Sequence, residues 1–213
     1  VDDEETLHFS VARSRILLAR GDTSGSASAL ESIEPDLRKD RTWKIARART
    51  FTRAGDYAAS AKLAAEAAVG DDAVTADALS VQGVALAYTG DEAKAREVLE
   101  RSVVVAKKVQ DPRIEAVCLV SLGIAHQRVG RTKEARTAYE NALAAAEKAR
   151  DAWTLATTRL NLAGIAKGDG DLAQALVHYE AAVDMGRRAG ALLAVQQALF
   201  NLADFNAFSR NRH

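Results

Sequence analysis

This chain has little with which to build a covalent framework or a metal centre. Its single cysteine, Cys118, excludes an internal disulfide and any multi-cysteine zinc site. That scarcity fits a reducing compartment, and the expected location is the cytoplasm. Cys118 itself reads as a small apolar residue buried on a helix, because free cysteines are usually buried and inert. Only 2 prolines and 13 glycines interrupt 213 residues, so helix breakers are few. Charge of one sign is missing too: 29 Lys and Arg face 29 Asp and Glu. No overall field then draws the protein to nucleic acid or to an anionic membrane, and neither is expected as a direct partner. Long apolar runs are also absent. The longest uncharged stretch, Ala189 to Ala203, still contains Gln196, Gln197 and Asn201, and no segment has the pattern of a signal peptide or a membrane span.

What is present is 48% hydrophobic content and long stretches of Ala, Leu, Arg, Glu and Lys, residues that lose little on entering a helix. The fold class is therefore all-α, with ample apolar material for a core. A repeat organises it. Glycine followed by a charged residue recurs at Gly21-Asp22, Gly55-Asp56, Gly90-Asp91, Gly130-Arg131 and Gly170-Asp171, at intervals of 34, 35, 40 and 40 residues. Each glycine lies between two stretches with apolar residues at helical spacing, so it ends one helix with a positive φ and the next residues begin another.

The registers around these turns agree. In the fourth unit small Gly123 lies seven residues before the turn glycine, and Ala135, Tyr139 and Ala142 lie five, nine and twelve after it. Ala163, Ala175, Tyr179 and Ala182 repeat the pattern in the fifth unit, Gly83, Ala95, Leu99 and Ser102 in the third, and Ala48, Ser60, Ala64 and Ala67 in the second. Ser14, Ser26, Leu30 and Ile33 give a weaker first unit. Small residues let the two helices of a hairpin approach, and the large residue fills the space between neighbouring hairpins.

At these residues the chain resembles the tetratricopeptide repeat family, most strongly from about Asp72 to Phe208. The frequent Trp early in the first helix of that family is read as missing, and Pro35 and Pro112 are the only candidates for its Pro between units. The resemblance implies a right-handed superhelical solenoid of antiparallel helix pairs in one domain, 1–213. Hairpins are expected at about 3–37, 41–69, 72–108, 112–149 and 151–189, with a terminal helix at about 191–209. The 40-residue spacing, with Asn161-Leu162-Ala163 and then Asn201-Leu202-Ala203, is similar to kinesin light chains, GoLoco-binding adaptors and sensor domains of bacterial regulators.

The same resemblance implies that the first helix of each pair lines a concave groove. Residues nine, six and three before each turn glycine then face it. They are Asn161, Gly164 and Lys167; Ser121, Ile124 and Gln127; Val81, Val84 and Ala87; Ala46, Arg49 and Thr52; and, in the incomplete sixth unit, Asn201, Asp204 and Ala207. Peptide-binding candidates are Asn161, Lys167, Asn201, Arg128, Gln127, Asp204, Arg49 and Arg53. A carboxamide can donate to a peptide carbonyl and accept from its N–H at once, or equally bond between adjacent helices. The basic residues suit an acidic segment or a terminal carboxylate.

The terminal helix is expected to pack through Leu192, Val195, Leu199 and Leu202, leaving Phe200, Phe205 and Phe208 as a surface for self-association or for a further helix. Catalytic machinery is not legible. There is no phosphate loop after a strand, no HExxH and no nucleophile elbow, and His8, His126, His178 and His213 lack ligand spacing. His126 stands where the family often has Tyr, which implies packing. Glu97, Glu100 and Glu140 read as solvated helix faces. The expected function is therefore a protein interaction module that needs no cofactor and is not an enzyme. The alternative is a ligand- or peptide-sensing regulatory domain of a larger bacterial signalling or transcription protein.

Overall fold

The computed structural model describes residues 3–210, and the side chains of residues 3–204. The described residues form helices α1 (Asp3–Ala19), α2 (Thr23–Glu31), α3 (Arg41–Ala54), α4 (Tyr57–Ala67), α5 (Ala73–Thr89), α6 (Glu92–Val109), α7 (Pro112–Arg128), α8 (Thr132–Ala149), α9 (Ala152–Gly168), α10 (Leu172–Ala189) and α11 (Leu192–Arg210). A 3-10 turn at Leu37–Lys39 precedes α3. The wider turn spacing in the second half reflects longer helices: α4 has 11 residues and α8 has 18.

Two residues suffice to reverse the chain within a hairpin. Gly55, at φ 85°, ends α3 with its N–H on Phe51 and Thr52 carbonyls, and the Asp56 carboxylate accepts from the Ala59 N–H to begin α4. The same division of labour recurs at Gly90-Asp91 and at Gly170-Asp171. Gly130-Arg131 is the exception, because Gly130 turns at φ 74° but the Arg131 side chain makes no capping bond. Arg131→Asp is expected to stabilise the fold by about 1 kcal/mol, with Arg131→Ala near neutral. Urea denaturation of both variants checks this.

At two junctions between hairpins the left-handed position is taken by Gln110 and Arg150 rather than glycine, and Asp111 and Asp151 cap the helices that follow.

Successive first helices pack side by side, α1 on α3, α3 on α5, α5 on α7, α7 on α9 and α9 on α11. Successive second helices have no comparable contact among the described residues. The stack therefore curves toward its first helices. The result is an all-α, tetratricopeptide-like solenoid. Its ends come close, since Leu193 at the start of α11 lies against the turn glycine Gly21 of the first hairpin.

Small-on-large packing sets the helix separation. A Cβ on Gly123 would lie 2.5 Å from the Tyr139 ring, and one on Gly83 would lie 2.3 Å from Leu99 Cγ. Tyr139 thus closes first over its own hairpin, rather than only between hairpins as the sequence pattern suggested. It also shares a buried cluster with Leu119 and Leu162, so it serves both contacts. In the first two units hydroxyls take the small positions. Ser14 and Ser26 bond at 2.7 Å, and Ser26 meets Thr50 at 3.0 Å.

Two expectations need correction. Trp43 and Trp153 do stand in the first turns of α3 and α9, and Trp43 Nε1 donates to the Leu30 carbonyl of the preceding hairpin. The packing face of α11 is Ala191, Ala194, Val195, Ala198 and Leu202, while Leu192 and Leu199 turn outward. The cause is Gly186 of α10, whose bare backbone admits Val195 so closely that a Cβ there would lie 2.7 Å from Val195 Cγ2. That seat fixes the rotation of the helix.

Candidate functional site: the concave wall

Of the residues the turn-based register assigns to the inner line, Ala46, Val81, Ala87 and Ser121 are buried rather than open to a groove, and the polar candidates each meet a different environment. Gln127 and Arg53 are exposed, and Arg53 has no bonded partner among the described residues. Gln127 Oε1 accepts from the Tyr139 hydroxyl at 3.0 Å, and its Nε2 approaches the open surface at Gly164. Asn161 is half-buried with its Nδ2 enclosed and without a hydrogen-bond partner. Asn201 Nδ2 donates within its own helix to the Gln197 carbonyl.

The charged candidates are mostly paired. Lys167 Nζ reaches Asp204 Oδ2 at 2.9 Å, joining α9 to α11. Arg49 grips Asp77 through both guanidinium nitrogens, joining α3 to α5, with Nη1 at 3.1 Å. Arg128 donates to the Ala87 carbonyl and lies over the Tyr88 ring at 3.8 Å, and Tyr88 in turn stacks on Tyr57 with centroids 4.5 Å apart. The structure therefore brings together Lys167 with Asp204, and Gln127 with Gly164, but spreads the eight candidates over four units rather than one pocket. Asp77, Tyr57 and Tyr88 were missed, since nothing in the sequence marks a partner that lies in another repeat.

The register rule also reaches Arg15, six residues before Gly21. Burial lowers its pKa most, with further lowering from Arg49 and Arg113 and an opposing pull from Asp77. Arg15 nonetheless keeps substantial surface exposure. A side chain in an open-mouthed recess fits both descriptions.

Other surfaces are less structured. A crevice of about 200 Å³ lies between the third and fourth hairpins, with Leu122 and Ala125 at its floor and Arg96, His126 and Arg131 at its rim. Phe200 is 75% exposed beside Leu192 and Leu199, while the side chains of Phe205 and Phe208 lie outside the described residues. Cys118 is fully buried, and burial pushes its thiol up to about 12, so it is not a nucleophile. No group of His, Cys, Asp and Glu suited to a metal occurs among the described residues, and no helix there is long and apolar enough to cross a membrane.

His178 is a buried titratable group of the last hairpin. Arg159 Nη1 lies 3.3 Å from its Nδ1 and Gln174 Nε2 lies 3.1 Å from its Nε2. Both neighbours are donors as placed, and a neutral ring accepts from one of them. Burial holds the pKa below its ordinary value, assisted by Arg159 and Arg136 and opposed by Glu140. The unfolded chain then binds the proton first, so stability is full above about pH 6.5 and falls as pH drops toward the lowered native value. Urea midpoints between neutral and acid pH should show this loss, and His178→Gln should remove that component of it.

The sequence profile described as tetratricopeptide repeat matches residues 74–148 and 115–188. No curated protein sequence matches the chain. Among solved structures, a Rap protein complexed with competence and sporulation factor aligns at 15% identity and TM-score 0.72, covering 93% of this chain and 58% of that one. Aspartyl phosphate phosphatase F from Bacillus subtilis aligns at 12% identity and TM-score 0.68, covering 93% and 55%. A signal transduction ATPase with a tetratricopeptide repeat sensor, from Pyrococcus horikoshii, aligns at 14% identity and TM-score 0.62, covering 92% and 32%. The chain thus spans under two thirds of the length of each, and these likenesses concern the fold.

Proposed function

The chain belongs to the tetratricopeptide repeat family, and from that premise we propose that it is an interaction module whose concave wall holds an extended peptide segment of another protein. The observation that carries this reading is the side-by-side packing of first helices from α1 to α11, which gives the solenoid one continuous wall of first helices. A peptide backbone needs donors and acceptors, and Gln127 Nε2, at the open surface beside Gly164, offers a donor, while Asn161 beside it is half-buried. The likeness to a Rap protein solved with a bound factor supports the same kind of use.

A peptide array probed with the chain, followed by titration of the captured sequences, tests this. Asn161→Ala combined with Lys167→Ala should weaken binding about tenfold or more, the loss of one or two charge-assisted or buried hydrogen bonds. Undiminished binding by a folded double variant rejects the groove as the site. A second reading, a sensing domain within a larger signalling protein, is favoured by the likeness to a sensor-bearing ATPase of which this chain matches 32%. An effector domain adjoining the solenoid in the full-length gene product would support it, and a gene product with no such domain would reject it.

A further inference from the structure

The solenoid touches itself. Gly21, the turn glycine of the first hairpin, is covered by the side chain of Leu193 at the start of α11. Leu193 Cδ2, Cγ and Cδ1 would lie 3.2, 3.9 and 4.0 Å from a Cβ placed on Gly21. The equivalent turn glycines Gly55, Gly90, Gly130 and Gly170 have nothing within 4 Å in the same direction. Only the first turn therefore carries a side chain from the far end of the chain. Neither α1 nor α2 packs along α11 among the described residues, so the two ends meet at a point and not over an interface.

The two partners are carried differently. Val195, seated on Gly186, fixes the rotation of α11, and the Lys167 to Asp204 ion pair ties α11 to α9, so Leu193 projects from a firmly held helix. The first hairpin is firm only at its base. There Arg47 on α3 reaches Glu31, the last residue of α2, at 2.8 Å, and Trp43 Nε1 donates to the Leu30 carbonyl. Toward the tip, hydroxyls make the joint: Ser14 on Ser26, and Ser26 on Thr50 of α3. Water can take the place of a hydroxyl partner at little cost, whereas withdrawing an interdigitated ring such as Tyr139 leaves a void. The hairpin can therefore swing about its base, and Leu193 is what its tip rests against.

We propose that Gly21 and Leu193 form a latch that closes the wall of first helices on itself, and that parting them opens a side entrance to its concave face. The proposal rests on the groove reading above and concerns how the groove is reached. A chain with a free end can thread a closed ring along its axis. A segment flanked by folded domains cannot, and enters only where the ends part. The contact of one half-buried leucine is small enough for the open form to be populated, and a partner that occupies the concave face between the ends draws the equilibrium toward it.

Spin labels on Arg20→Cys and Gln196→Cys, both exposed positions, read the separation of the ends by dipolar spectroscopy, and the fully buried Cys118 takes no label. With Leu193 in place the short separation should dominate. Leu193→Gln should lower the ratio of closed to open forms by about fivefold, and Leu193→Met, which keeps the apolar contact, should leave it unchanged. Gly21→Asn acts from the other side: asparagine tolerates the positive φ and puts a side chain where Leu193 lies, so it should open the ends as well. Access is read separately at Gly164→Cys, on the open surface of the wall. Leu193→Gln should speed its reaction with a maleimide borne on a folded carrier protein by about fivefold, the same shift in open population, and leave the rate with N-ethylmaleimide unchanged. The unchanged small-reagent rate also shows that the variant is folded. Ends already apart with Leu193 in place, a separation that neither Leu193→Gln nor Gly21→Asn alters, or equal carrier rates overturn the latch. None of these measurements needs a partner peptide, so their failure removes the latch alone, while the Asn161 and Lys167 double variant decides the groove reading.

Discussion

Tyr139→Ala is expected to lower unfolding free energy by about 3–5 kcal/mol, because it opens a cavity where the surroundings cannot collapse. Tyr139 is 0% exposed, closes over Gly123 and joins the cluster that links α7, α8 and α9. Its ring leaves a void beside the α7 backbone at Gly123 within the central buried cluster, and rigid helices relax little into such a space. The hydroxyl is a separate contribution. Tyr139→Phe removes only the 3.0 Å bond to Gln127 and should cost about 1 kcal/mol. Since each hairpin of a solenoid is supported by its neighbours alone, the alanine variant should also split urea unfolding into two steps, with α7 to α10 melting first. A single sharp transition shifted by less than the cost of Tyr139→Phe would show that the ring is not the keystone of the fourth hairpin.

The fold was legible because the turn chemistry is written in residue types that have one main use. Glycine at positive φ followed by an aspartate cap marks a hairpin, and the small-to-large register repeats around it. The junctions between hairpins were harder to read, since Gln110 and Arg150 adopt the left-handed conformation without glycine. The face of α11 was half legible: Val195 and Leu202 pack as expected, but Leu192 and Leu199 were preferred over the alanines that take their places. Val195 seated against Gly186 fixes a rotation that turns Ala191, Ala194 and Ala198 inward and Leu192 and Leu199 outward. The groove line is legible as a face, because helical spacing decides which way a residue points. Its partners are not: Lys167 and Asp204 are 37 residues apart, and Arg49 and Asp77 are 28 apart, so only the stacking of hairpins reveals that each pair meets. Arg15 was within reach of the same register rule, six residues before its turn glycine, but the weak first unit hid its place on the wall.

Substitution of the helical glycines by alanine should change stability in opposite directions at two positions, and the sign reports where helices touch. In an open helix interior, alanine is worth about 0.5–1 kcal/mol over glycine, because it loses less backbone freedom on folding. Gly164 is such a position: an added Cβ would meet nothing nearer than Gln127 Nε2 at 4.0 Å, so Gly164→Ala should stabilise. Gly123 occupies the same kind of helix interior, yet its Cβ would lie 2.5, 2.6 and 2.9 Å from three ring atoms of Tyr139. That ring is enclosed and tethered through its hydroxyl, so it cannot swing away, and Gly123→Ala should destabilise by about 1–3 kcal/mol despite the gain in helix propensity. A double-mutant cycle separates the two effects. In a Tyr139→Ala background the clash is gone and the methyl group enters the void, so Gly123→Ala should become neutral or stabilising. If Gly123→Ala costs as much in that background as in the wild type, its penalty does not come from the ring, and the small-to-large pairing does not set the spacing of α7 and α8.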